Sequence, residues 1–161
     1  MADIEWEKAQ ELMRLQAELR PSLERLQKWA DQNEEHFAGL WIDNDAFLKG
    51  GGPVTVRVAV VDFDLIAARE SLDPLMDDPE RLSIIPMTRT LATLRQAQDH
   101  IADQFMHGAS PGQTRLVGTG ADIKRNGLQV VLHRQDPALE RRIRDSVSVP
   151  IRIVFGIAYA V

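Results

Sequence analysis

A chain of 161 residues with 44% apolar and 27% charged side chains has room for one domain or two small lobes with ordinary cores and solvated surfaces. Its net charge of −5 argues against nucleic-acid binding, and the lack of cysteine excludes disulfides, thiolate zinc sites and cysteine nucleophiles. No apolar run reaches the ~18 residues of a membrane span, and the acidic opening Met1-Ala2-Asp3-Ile4-Glu5 has no leader-like apolar stretch, so the expected location is cytoplasmic.

Residues 1–36 read as an amphipathic helical arm. Leu12, Leu15, Leu19, Leu23, Leu26 and Ala30 recur at steps of three and four, which stacks them on one face. Pro21 lacks the N–H of an internal helical residue and restricts Arg20, so a kink or tight break is expected there. The stripe either packs on its own domain or pairs with a second copy, giving a homodimer through the face from Leu12 to Ala30. Trp6 and Trp29 lie on the same arm and either cover the chain's own sheet or act as partner anchors, tryptophan being enriched at binding hot spots.

Residues 37–108 predict a ββαβα unit. Phe37 to Ile42 is short, aromatic and β-branched, Asp43-Asn44-Asp45 supplies turn chemistry, and Lys49-Gly50-Gly51-Gly52-Pro53 predicts a flexible loop. Val54, Val56, Val58 and Val60 then alternate with Thr55, Arg57 and Ala59 as in a strand, so the two strands form a hairpin with a long loop. Asp64 caps a helix running to Met76 and weakened by Pro74, residues 82–87 form a strand, and Thr90 caps a helix that ends near Gly108. Residues 109–161 predict a ββαβ unit: strands at 116–123 and 128–134 joined through Asn126-Gly127, a helix capped by Asp136 with Pro137 first, and a strand after Pro150. The expected fold is therefore α+β, a helical arm followed by two split-βαβ-like units with antiparallel sheets, although no residue-level repeat links them.

Motifs for chemistry are sparse. Gly108-Ala109-Ser110-Pro111-Gly112 spells a hydrolase elbow, but it follows a helix and leads to a strand, the reverse of the context that activates such a serine. A small-ligand or hydrolytic site would need polar groups to converge around Ser110, His107 or His133. The four histidines have no metal-ligand spacing, and Asp43 and Asp45 start a calcium-loop pattern that Phe47 breaks. Gly118-Thr119-Gly120 lacks the third glycine of a dinucleotide fingerprint and reads as room for a bulge. Arg141, Arg142 and Arg144 share a short helix that opens with acidic residues, the usual charge order of a surface helix. The expectation is a protein that is not an enzyme and holds neither cofactor nor metal. In the apolar segment from Gly156 onward, Ile157, Tyr159 and Val161 are further candidate partner contacts, by extending the last strand or adding to another protein's sheet edge.

Phe37-Ala38-Gly39-Leu40-Trp41-Ile42-Asp43 with the following Gly-rich loop and valine strand resembles the opening of the pro-domains of alpha-lytic-protease-type (streptogrisin-like) serine proteases. The resemblance continues through Thr119-Gly120-Ala121-Asp122-Ile123 and Asn126-Gly127-Leu128-Gln129-Val130-Val131, and spans about residues 37–155. It implies a bacterial-type two-lobed clamp that binds a trypsin-like protease, assists its folding and blocks its active site with the segment from Ile157 to Val161. With no protease following Val161 and no leader before Met1, the chain reads as a stand-alone relative of those pro-domains.

Overall fold

The structure, a computed structural model, describes residues 2–156, with side chains from residue 5 onward. Two compact units divide at Met87/Thr88.

In unit 1 the leucine stripe organises helix α1 (Ala2–Gln32), which buries Leu19, Leu26 and Ala30. The helix runs through Pro21 without a break, contrary to expectation. Pro21 lies on the exposed side, where the carbonyl that its missing N–H leaves free faces solvent rather than core. Strand β1 (Phe37–Asp43) is followed by a short helix α2 (Asp45–Gly50) in place of the expected long loop. Phe47 is the reason, since its burial fixes one turn of helix, and Gly51 ends it in the left-handed region at φ 71°. Strand β2 (Thr55–Val61) buries Val56, Val58 and Val60 on one face. Asp64 caps helix α3 (Leu65–Leu72), accepting from the Ile66 N–H at 2.7 Å, and the stretch around Pro74 tightens into a 3₁₀ turn before β3 (Leu82–Met87).

The sheet order is β1-β2-β3. β1 and β2 pair antiparallel, but β2 and β3 pair parallel, which corrects the expected antiparallel sheet. The cause is α3: a helical crossover returns the chain to the same end of the sheet, so the next strand must run parallel. Pro86 is tolerated because β3 is an edge strand.

Unit 2 opens with helix α4 (Leu91–Phe105), capped by Thr90. The helix expected to close the first unit instead packs against elements downstream of it. Leu94 and Ile101 share one core with Leu116, Leu128, Val130, Leu132, Ile143 and Val149. Strands β4 (Leu116–Asp122) and β5 (Gly127–Leu132) form the expected hairpin, helix α5 (Pro137–Asp145) starts at Asp136, and β6 (Ile151–Phe155) pairs parallel with β5 in the order β4-β5-β6. Gly127 is fixed by a close approach, since a Cβ there would lie 2.6 Å from the Pro150 carbonyl oxygen. The protein is thus α+β, with the order α-β-β-α-β occurring twice once the small helix α2 is set aside.

The duplication extends to register. Each hairpin shifts register near the start of its first strand, between Phe37 and Gly39 and between Leu116 and Gly118. Counting from those shifts, Trp41 opposite Arg57 corresponds to Gly120 opposite Gln129, and both first strands end on an aspartate, Asp43 and Asp122.

Asp136 carries a prediction about pH. The Leu139 N–H bonding to its carboxylate, aided by the Thr114 hydroxyl, the Ala138 N–H and Arg134, holds the carboxyl below its usual range. A carboxylate depressed in the folded state stabilises it above the ordinary carboxylate range, and that contribution is lost as pH falls through the folded-state value. Urea midpoints of the wild type and Asp136→Asn are therefore expected to differ most at pH 7 and to converge toward pH 3. Parallel midpoint curves would show that the ionised carboxylate adds nothing to the cap.

Candidate interaction surface

β6 lies at one edge of its sheet and pairs only with β5 among the described residues. The Leu128 N–H donates to the Pro150 carbonyl at 2.9 Å and the Gly156 N–H to the Leu132 carbonyl at 3.1 Å. In a parallel ladder that alternation turns the N–H and C=O of Ile151, Ile153 and Phe155 outward. Arg144 from α5 covers the Ile151 carbonyl at 2.5 Å. Further along, the Phe155 side chain is 49% exposed. An outward-facing backbone row beside an exposed aromatic is what an incoming strand requires.

The face of this sheet away from the α4–α5 core forms a shallow trough of about 770 Å³. Gly118, Gly120, Gln129, Val131 and Arg152 form its floor and sides, and the turn carrying Lys124 and Arg125 closes one end. Asp122 pairs with Arg125 at 3.4 Å, which leaves Lys124 and Arg152 to set a positive sign in a chain of net charge −5. Sequence reasoning missed this surface. Glycines two apart in a strand leave one face bare, and that signal is present in Gly118-Thr119-Gly120, where a bulge does occur but only at the Gly118 end.

The candidate anchors are dispersed. Trp6 stands 60% exposed on α1, with Met13 exposed two turns further on. Trp29 sits edge-on to Phe63 at 6.1 Å between ring centres, and Phe63 in turn contacts the His36 ring at 4.8 Å. Trp29 is thus part of an aromatic cluster inside unit 1. On the leucine face of α1, Leu19, Leu26 and Ala30 are buried, and the helix contacts β1 and the Asp73–Leu75 turn of its own unit. Ile157, Tyr159 and Val161 lie outside the described residues.

The polar candidates do not converge through hydrogen bonds. The Ser110 N–H donates to the Gln113 side chain at 2.9 Å in an exposed loop that runs into β4, with no helix starting behind the serine. His133 Nδ1 accepts from the Arg115 N–H at 3.0 Å, and His107 is exposed just beyond α4. Among the described residues no group of three His, Asp or Glu side chains is placed to hold a metal, and no helix is long and apolar enough to cross a membrane. Comparison with protein-family models and with curated proteins finds no match to this chain.

Proposed function

We propose that this chain is a non-catalytic protein-binding module that engages a partner protein through the outer edge of β6, and that the partner is a trypsin-like serine protease. The observation that carries the reading is the outward row of backbone groups at Ile153 and Phe155, with the Phe155 ring exposed beside it. The resemblance of residues 37–155 to protease pro-domains supports the partner class. It also supports a role in folding assistance or inhibition, to which Ile157, Tyr159 and Val161 would contribute. A second copy is the competing occupant for α1, whose first turns expose Trp6 and Met13.

Titration of the full chain into trypsin, read by calorimetry and by residual peptidase activity, tests the reading. Phe155→Pro removes an outward N–H at an edge position where proline is tolerated. Binding is expected for the wild type and a loss of about tenfold or more for the variant, the size of one to two missing strand hydrogen bonds. Equal affinity of the two proteins would remove the β6 edge from the interface, and no binding by either would remove the protease. Light scattering at high concentration decides the second copy, which requires a dimer that Trp6→Ala weakens.

A further inference from the structure

Gly120 is a strand glycine that the fold itself does not require. Its φ is not left-handed, and a Cβ at that position would meet nothing within 4 Å. Gly118 belongs to the bulge that has its counterpart at Gly39, so it has a local reason. A strand-interior glycine weakens its strand and marks places where another molecule approaches the backbone.

The other half of the duplicated fold shows what fits there. In unit 1 the position of Gly120 holds Trp41, whose indole packs with Met87 against the buried Ala38, Ala59 and Val61. By register Val131 stands where Ala59 stands, Gln129 where Arg57 stands, and Asp122 where Asp43 stands. Unit 2 therefore keeps one apolar floor position, Val131, without an aromatic cover, while His133 and Gly156 stand where Val61 and Met87 stand. It adds Arg152, which the register aligns with the uncharged Ser83 of β3, and Lys124 in the hairpin turn. A guanidinium beside bare glycine backbone and the Val131 side chain favours an aromatic ring, and the positive surplus favours carboxylates flanking it.

We propose that the trough on the outer face of β4, β5 and β6 docks an aromatic side chain of a partner protein, carried on an acidic segment. The ring lies over Gly120 as Trp41 lies over its own sheet, and the flanking carboxylates meet Lys124 and Arg152. This rests on the protein-binding reading and goes beyond it by naming the chemistry of the contact. It uses a different surface from the β6 edge.

The probe is an acetylated, amidated Glu-Glu-Trp-Glu-Glu peptide titrated into the isotope-labelled full chain, with Glu-Glu-Ala-Glu-Glu as control. Amide shifts are expected to centre on Gly118, Gly120, Gln129, Val131 and Arg152, with affinity about tenfold weaker for the alanine peptide. Gly120→Trp is expected to stay folded and abolish binding by filling the site. Arg152→Glu is expected to weaken binding by about tenfold through charge reversal. Equal binding of both peptides, shifts centred elsewhere, no shifts at millimolar peptide, or unchanged affinity in Arg152→Glu would each overturn the proposal. An unfolded Gly120→Trp protein would overturn it too, because the equivalence with Trp41 requires room for an indole. Phe155→Pro should leave this titration unchanged, so loss of protease binding and loss of trough binding fail independently.

Discussion

Replacing Asn126 by alanine is expected to destabilise the protein by about 3–5 kcal/mol, at the upper end of what a single substitution does. Asn126 is 5% exposed and sits in the hairpin turn at φ 53°. Its Oδ1 accepts from the Arg89 N–H at 2.9 Å, the Thr88 N–H at 3.3 Å and the Thr88 hydroxyl at 3.1 Å, while its Nδ2 donates to the Arg89 carbonyl at 2.7 Å. One side chain thus satisfies the backbone that leads into the Thr90 cap of α4. Alanine leaves the half-buried Arg89 N–H and carbonyl without their bonds, at about 1–3 kcal/mol for each buried group so left, and adds the strain of a Cβ in the left-handed region; the exposed Thr88 turns to water. Asn126→Gly separates the two causes, because it keeps the backbone conformation and loses only the hydrogen bonds. Its loss is expected to be smaller by about 1 kcal/mol. Urea denaturation of the three proteins measures both numbers. A loss below about 1 kcal/mol for Asn126→Ala would mean that water replaces the side chain at no great penalty.

Asn126 also shows what a sequence makes legible and what it does not. Asn-Gly marks a hairpin, and the hairpin is there with Asn126 in the left-handed turn. That the side chain turns inward to residues 88 and 89 depends on tertiary placement, which no local pattern carries. The caps behave the same way as the turn: Asp64, Thr90 and Asp136 each accept from the predicted helix start, because capping involves residues two or three apart. Strand direction is hidden for a related reason. Visible hairpin turns suggest antiparallel pairing throughout, whereas the third strand's direction is set by the helix that precedes it.

The expected unit boundary is displaced because an apolar stripe says that a helix will be buried but not against what. Leu94 and Ile101 are legible as core, but their partners Leu116, Leu128 and Val130 lie downstream and not in the preceding strands. Moving α4 into unit 2 is what exposes the duplication, and the duplication is what gives Gly120 its counterpart in Trp41. Because only a few counterparts match, among them Gly39 with Gly118 and Asp43 with Asp122, residue-by-residue similarity does not reveal it. Trp29 is a residue for which the sequence leaves both self-packing and a partner contact open. Its ring lies against Phe63, and only Trp6 of the pair is well exposed.

Arg81→Met is expected to cost about 2–4 kcal/mol and to loosen α1 where that helix meets the rest of its unit. The Arg81 side chain is 15% exposed and lies at the entry to β3. Its Nε donates to the Val54 carbonyl at 2.9 Å, Nη2 to the Leu15 carbonyl at 3.1 Å, and Nη1 faces Glu18 at 3.5 Å. One planar fork therefore joins α1 to the start of β2. Methionine keeps the apolar stem but leaves the Val54 carbonyl without its donor and Glu18 with Arg14 alone as counter-charge. Arg81→Lys keeps the charge but not the fork, since an ammonium on a flexible stem does not hold all three acceptors at once. Lysine is expected to recover less than half of the loss. Urea denaturation gives the total, and hydrogen exchange locates it. Faster exchange in α1 around residues 15–19, with β1 and β2 unchanged under native conditions, is the expected pattern. Full recovery by lysine would reduce Arg81 to a point charge serving Glu18, and the geometry of the fork would then add nothing to the hold on α1.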